Sequence, residues 1–306
     1  MPSTFETFRT RCLAAGMVYE DNVGLYIDRY SCVKYKEAQT INGAEPLPLL
    51  AVYTKSVGGQ QYNYAGVVSL EYNFVGNESL VDSITRSITD IGSSVLDENP
   101  TLNGTLTGMI NEIVLRDTNE IANVGDIYPH VTLINSYNGT RQAEVSFGIT
   151  MIDASTGSRH NMTFRQTFGM FKQIHVANAR TSLNYTMENT VKSINENIAD
   201  FIKVNTETKI DERTLLSTLD LVEKVGKKRR DEVSNYIKNL AAAAPGRETT
   251  SWDLFLAISK FSSVEKNLNA KIVLEDIVER IMVLPAKMIN SLQTINSEPT
   301  LSQRAA

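Results

Sequence analysis

Between Tyr128 and Ile202 the spacing of apolar residues changes period, and that change limits the folds open to the chain more than any other feature. From Arg141 to Ile152, one side of the pattern carries Arg141, Ala143, Val145, Phe147, Ile149 and Met151, while Gln142, Glu144, Ser146 and Thr150 take the other. A period of two is that of a half-buried strand. Val131 to Tyr137 reads as the strand before it, with Asn138-Gly139 as the turn. Met162 to Ile174 reads as a third strand, with Phe164, Phe168, Met170 and Phe171 beside Arg165 and Lys172. From about Ala177 the period lengthens. Leu183, Met187, Val191, Ile194, Ile198 and Ile202 recur at three- and four-residue steps, as on a helix with one buried face.

A similar order precedes it. Residues 1 to 20 read as a short helix, then Val23 to Tyr35 and Leu49 to Val57 as strands, with Pro46 and Pro48 in the loop between. Gly58-Gly59 signals a hairpin turn, and Tyr62 to Val75 is the return strand. A helix is expected from Asn77, with Asn77 or Ser79 as cap, through Leu80, Ile84, Ile88, Ile91 and Val95. Residues 97 to 126 read as loop around a short apolar segment, Met109 to Leu115. Two strand-strand-strand-helix units result. No residue-level identity connects them, so the reading leans to a single antiparallel sheet with helices on one face over an internal duplication, which the same order also fits. After Val204 the pattern is helical: Leu215 to Val225, Asp231 to Ala244, Trp252 to Phe261 and Ile272 to Leu284, with breaks at Pro245-Gly246 and Pro285. The expectation is an α+β fold: a mixed antiparallel sheet and helix body over 1–205, and a helical C-terminal region with a frayed tail over 206–306.

At 42% hydrophobic and 21% charged residues the chain has the makings of a core and is no disordered polymer. Cys12 and Cys32 are too few for a disulfide framework and read as reduced thiols. No apolar run approaches the roughly 18–20 residues of a membrane span. The expected location is a cytoplasm, with no membrane partner. The net charge of -5 excludes a chain coated in positive charge but leaves room for a local basic groove.

Catalytic and metal chemistry find little footing. His130, His160 and His175 have no second ligand at metal-binding spacing and are expected at strand ends, so no metal and no cofactor is implied. No Walker loop, dinucleotide fingerprint, nucleophile elbow or zinc-protease motif occurs. The reading is a non-catalytic binding module. Its candidate contacts are cationic and aromatic. Arg141, Arg159, Arg165, Lys172 and Arg180 outnumber Glu144 and Asp153 between His130 and Arg180, and Lys227, Lys228, Arg229 and Arg230 form the densest positive run. That run reads either as a solvated helix end or as a nucleic-acid contact. Along the third strand, Phe171 joins Arg165 and Lys172 as a candidate. Single strands are bound by this combination, because bases stack on rings while cations follow phosphates. Phe164 and Phe168 fit core packing as well. Tyr62, Tyr64 and Tyr72 offer rings from the earlier strand.

Two stretches carry a resemblance. Leu133-Ile134-Asn135-Ser136-Tyr137-Asn138-Gly139 resembles the "Asn-Ser-His-Asp-Gly" strand-turn signature of a phage- and plasmid-encoded family of unknown function, with Tyr137 in place of the His. Thr250-Ser251-Trp252-Asp253-Leu254-Phe255-Leu256-Ala257-Ile258 is similar to that family's Thr-x-Trp helix. In layout the chain also looks like the early single-stranded-DNA-binding transcription regulators of lytic podoviruses, the Drc-like group. That resemblance implies cooperative, sequence-tolerant binding of single-stranded DNA, a homo-oligomer, and support of a phage RNA polymerase or of replication. The alternative is a structural or assembly protein that does not bind DNA.

Overall fold

The computed structural model describes residues 19–20, 25–27, 31–39, 46–56, 61–69, 76–102, 108–117, 119–121, 125–138, 141, 143–153, 156–165, 171–172, 179–265 and 267–285. The helix expected over residues 1 to 20, the Gly58-Gly59 turn, Tyr72, Phe168, His175 and the tail beyond Ile295 fall wholly or mainly outside them. Strands β1 (Tyr19–Glu20), β2 (Leu25–Ile27), β3 (Ser31–Gln39), β4 (Pro46–Ser56) and β5 (Asn63–Ser69) form one antiparallel sheet in chain order. Helix α1 (Asn77–Asp90) follows. A second antiparallel sheet is built from β6 (Val95–Leu102), β7 (Gly108–Leu115), β8 (Asn119–Ile121), β9 (Gly125–Ser136), β10 (Glu144–Asp153), β11 (Arg159–Thr163) and β12 (Phe171–Lys172). Its order is β11-β10-β9-β7-β6, with β8 beside β9 and β12 beside β10. Helices α2 (Ala179–Glu207), α3 (Glu212–Val225), α4 (Lys227–Ala243), α5 (Ser251–Val264) and α6 (Leu268–Ile281) complete an α+β fold with a helical C-terminal part. Among the described residues no helix is long and apolar enough to cross a membrane.

Several sequence expectations need correction. The segment read as loop, residues 97 to 126, supplies three strands, and β7 lies near the middle of its sheet. Every residue of β7 is buried, so Gly108-Met109-Ile110-Asn111-Glu112-Ile113-Val114-Leu115 shows no alternation. Helix α1 stops at Asp90 and Val95 opens β6. Gly92, at φ 80°, accepts the left-handed conformation, and the Ser93 and Gly92 amides donate to the Ile88 and Thr89 carbonyls, the Schellman arrangement of a helix end. Asn77 is the first helical residue; Gly76 takes the cap position with no side-chain cap bond. Pro46 and Pro48 lie inside β4, whose first residue is Pro46, a strand position that tolerates proline. The third strand is split, β11 and β12 pairing with successive parts of β10.

The sheets are separate. Among the described residues no strand of one pairs with a strand of the other, which excludes a single continuous sheet, and the Asn138 side-chain amide donates to the Ala65 carbonyl between them at 3.1 Å. One apolar cluster then joins the second sheet to the helices. The inner face of the second sheet (Ile113, Val131, Leu133, Val145, Phe147, Ile149) packs with Leu80, Ile84 and Ile88 of α1 and with Met187, Ile194, Ile198 and Phe201 of α2. Leu219, Val222, Trp252, Phe255 and Ile277 from the C-terminal helices belong to the same cluster, so packing runs unbroken across residues 205 and 206.

Candidate nucleic-acid interface

On the second face of the larger sheet the alternation places polar residues. Register sets Glu112, Thr132 and Ser146 side by side on β7, β9 and β10, with His130 and Thr163 flanking Gly148 one step along. Helix α6 lies across this face. Leu268 and Ile272 pack on Ile110 and Ile134. Lys271 Nζ stands 3.1 Å from Glu112 Oε2, both side chains fully buried, and Glu275 Oε2 stands 2.5 Å from Arg165 Nη2.

Arg165 therefore does not meet solvent, contrary to the sequence reading. It is 6% exposed, with Glu275, Glu144 and Asp276 around its guanidinium. Burial works against its charge, yet the three carboxylates outweigh burial and hold its pKa above the ordinary arginine value. A cation on that parity can be buried because an acidic helix covers it. The other candidates scatter. Arg159 Nη1 binds Asp97 Oδ2 at 2.7 Å, and its Nε–H donates to Asn161 Oδ1. Arg141 Nη2 donates to Asn269 Oδ1 at 2.6 Å. Phe171 and Lys172 stand opposite Val145 and Glu144 in the β12–β10 register, and Arg180 is the second residue of α2. Arg229 pairs with Glu265, and Arg230 Nε lies 3.0 Å from Glu223. Lys227 and Lys228 are exposed in the first turn of α4, with Lys228 Nζ 3.9 Å from Glu232. The third strand of the sequence reading thus turns one side to the core, where Phe164 meets Phe201 edge-on, and the other to α6 rather than to a ligand.

Among the described residues, rings and a cation come together at a partly exposed surface on the smaller sheet. Along β4, Leu50, Val52 and Thr54 are buried, which leaves Ala51, Tyr53 and Lys55 for the other face. Tyr53 faces Tyr64 across the strands, ring centroids 5.8 Å apart at 70°. The register shifts between Val52 and Tyr53, where Gly66 takes φ 143°. That bulge lets Tyr64 and Val67, three residues apart, share the open face. Tyr64 is 60% exposed, and Lys55 Nζ lies 4.8 Å from the centroid of the Tyr62 ring. Lys34 and Lys36 of β3 stand opposite Tyr53 and Ala51 in the register. Tyr62 and Tyr64 were legible in the sequence as candidate rings. Tyr53 and Lys55 were not singled out, although their alternation with Val52 and Thr54 was there to read.

The motif residues behind the family resemblance do structural work in this chain. Tyr137 is buried and its hydroxyl accepts the Asn77 amide at 2.9 Å, while Asn135 donates to Asn77 Oδ1. Together they tie the end of β9 to the start of α1. Thr250 and Asp253 form a capping box on α5, and Arg247 binds Asp253 at 2.7 Å. Comparison of the chain with protein-family models, with curated proteins and with solved structures finds no match.

Proposed function

We propose that this protein binds single-stranded DNA without catalysis, through the partly exposed face of β4 and β5 in its five-stranded sheet. The observation that carries the reading is the grouping of Tyr53, Tyr62 and Tyr64 with Lys55 on one partly exposed face. Each base stacked on such a ring contributes about 1–3 kcal/mol irrespective of sequence, and each ammonium near the backbone adds a salt-sensitive contact. The basic third strand that the sequence favoured is replaced as the contact surface, because its arginine is enclosed by carboxylates. A part in phage transcription or replication rests on the resemblance alone.

The test is anisotropy of a labelled oligonucleotide, single-stranded and duplex, at about 50 and about 200 mM salt. Single strands are expected to bind more tightly than duplex and to weaken steeply with salt. Tyr62→Ala with Tyr64→Ala should lower affinity at least about tenfold, the scale of one or two lost stacking contacts. No binding at the lower salt, or full affinity in the double variant, overturns the assignment. The internal pairing of Arg159, Arg165, Arg229 and Arg230 favours the second reading, a protein–protein assembly component, and the no-binding outcome would select it.

A further inference from the structure

Resting on that reading, we propose that Lys55 is a built-in competitor at the Tyr62 ring, holding it when no strand is bound and moving to a phosphate when a base displaces it. The two β5-side rings are unequal. Tyr64 is largely open, whereas Tyr62 is half-buried with the Lys55 ammonium 4.8 Å from its centroid, inside the distance at which a cation is attracted to a ring face. A stacked base and an ammonium cannot share that face. The base must evict the cation, and the evicted ammonium sits on a flexible four-carbon stem beside the newly placed strand.

The first base lands on Tyr64, and the second reaches Tyr62 only by exchange with Lys55.

This arrangement gives Lys55 two opposed effects, and salt separates them. The experiment is an anisotropy titration of a labelled oligothymidine with the full chain and with Lys55→Gln, each in otherwise native and Tyr62→Ala backgrounds. Lys55→Gln should lower the steepness of the log affinity against log salt plot by about 0.7, the loss of one phosphate contact on a single strand. At high salt, where that contact counts for least, the variant should bind about two- to fivefold more tightly than the parent, since no cation–π contact is left to break. In the Tyr62→Ala background the high-salt gain should vanish. Weaker or equal binding of Lys55→Gln at every salt, or a gain that persists without the Tyr62 ring, overturns the role of Lys55 and leaves the functional reading standing. Failure of the parent to bind at low salt overturns both.

Discussion

His130 shows how far a single side chain can be determined by its neighbours. Arg159 Nε can only donate, so the Asn161 atom it meets is the carbonyl oxygen. The Thr150 hydroxyl, which also meets that oxygen at 3.1 Å, must then donate to it, which leaves Thr150 to accept from His130 Nδ1 at 3.0 Å. Nε2 is the acceptor from Thr163, whose oxygen in turn accepts from Thr132. The ring is a neutral Nδ1–H tautomer with both nitrogens engaged, in the middle of β9 rather than at the strand end that the sequence implied. Gly148 is part of the same fit, since a Cβ there would come within 2.6 Å of His130 Nε2. Burial, with the cations Arg159, Lys271 and Arg165 outside the ring, pushes the His130 pKa from 6.5 down to about 3, against the pull of Glu275. The unfolded chain takes up this proton near pH 6.5 while the folded chain refuses it down to about pH 3, so the unfolded state binds more protons and stability falls as pH drops through that window. Urea unfolding between about pH 6 and 4.5 should show a loss of up to roughly 1.4 kcal/mol per pH unit relative to a His130→Gln variant. Parallel pH profiles for the two proteins would remove this account.

At the scale of elements, α6 and the surface beneath it are matched by crossed charges: Glu112 of β7 with helix Lys271, and Arg165, two residues past the end of β11, with helix Glu275. A register slip of the helix would bring like charges together, so the pairs specify how the helix docks more than they stabilise it. Lys271→Met alone leaves the Glu112 carboxylate buried with Asn99 and a distant Arg159, and should cost roughly 3–5 kcal/mol in urea or thermal unfolding. Lys271→Met with Glu112→Leu should recover most of that loss, or exceed the parent. A double variant no better than the single one would show that the pair stabilises in its own right. Elements themselves were largely legible. The strand alternation around β10 and the helical step of α2 are local signals, whereas the expected helix α1 overran its stop at Gly92 because Val95 falls in step with its apolar face. β7 escaped because burial on both faces erases the period that betrays a strand.

For the whole molecule, the apolar cluster shared across residues 205 and 206 predicts that the strand-rich part does not stand alone. Each fully buried large apolar side chain contributes about 1.5–3 kcal/mol, against a typical total stability of about 5–15 kcal/mol. A fragment ending at Glu207 loses Leu219, Val222, Trp252, Leu254, Phe255, Leu274 and Ile277 from that cluster. It should show no cooperative thermal transition and should bind a hydrophobic dye; a sharp transition would argue for an independent unit. The sequence by itself determined the class, the positions of most strands and helices, and the pool of rings and cations from which an interface is drawn, because periodicity and turn chemistry act over a few residues. Which of those side chains face water was decided by tertiary structure. Arg165 became an internal cation and Tyr64 an external ring because α6, far along the chain, covers one sheet face with acids, while the Ala65–Gly66 bulge turns the other sheet's tyrosines outward. A helix so distant in sequence leaves no mark on the local pattern of the surface it covers, and a bulge becomes visible only once its two strands are paired.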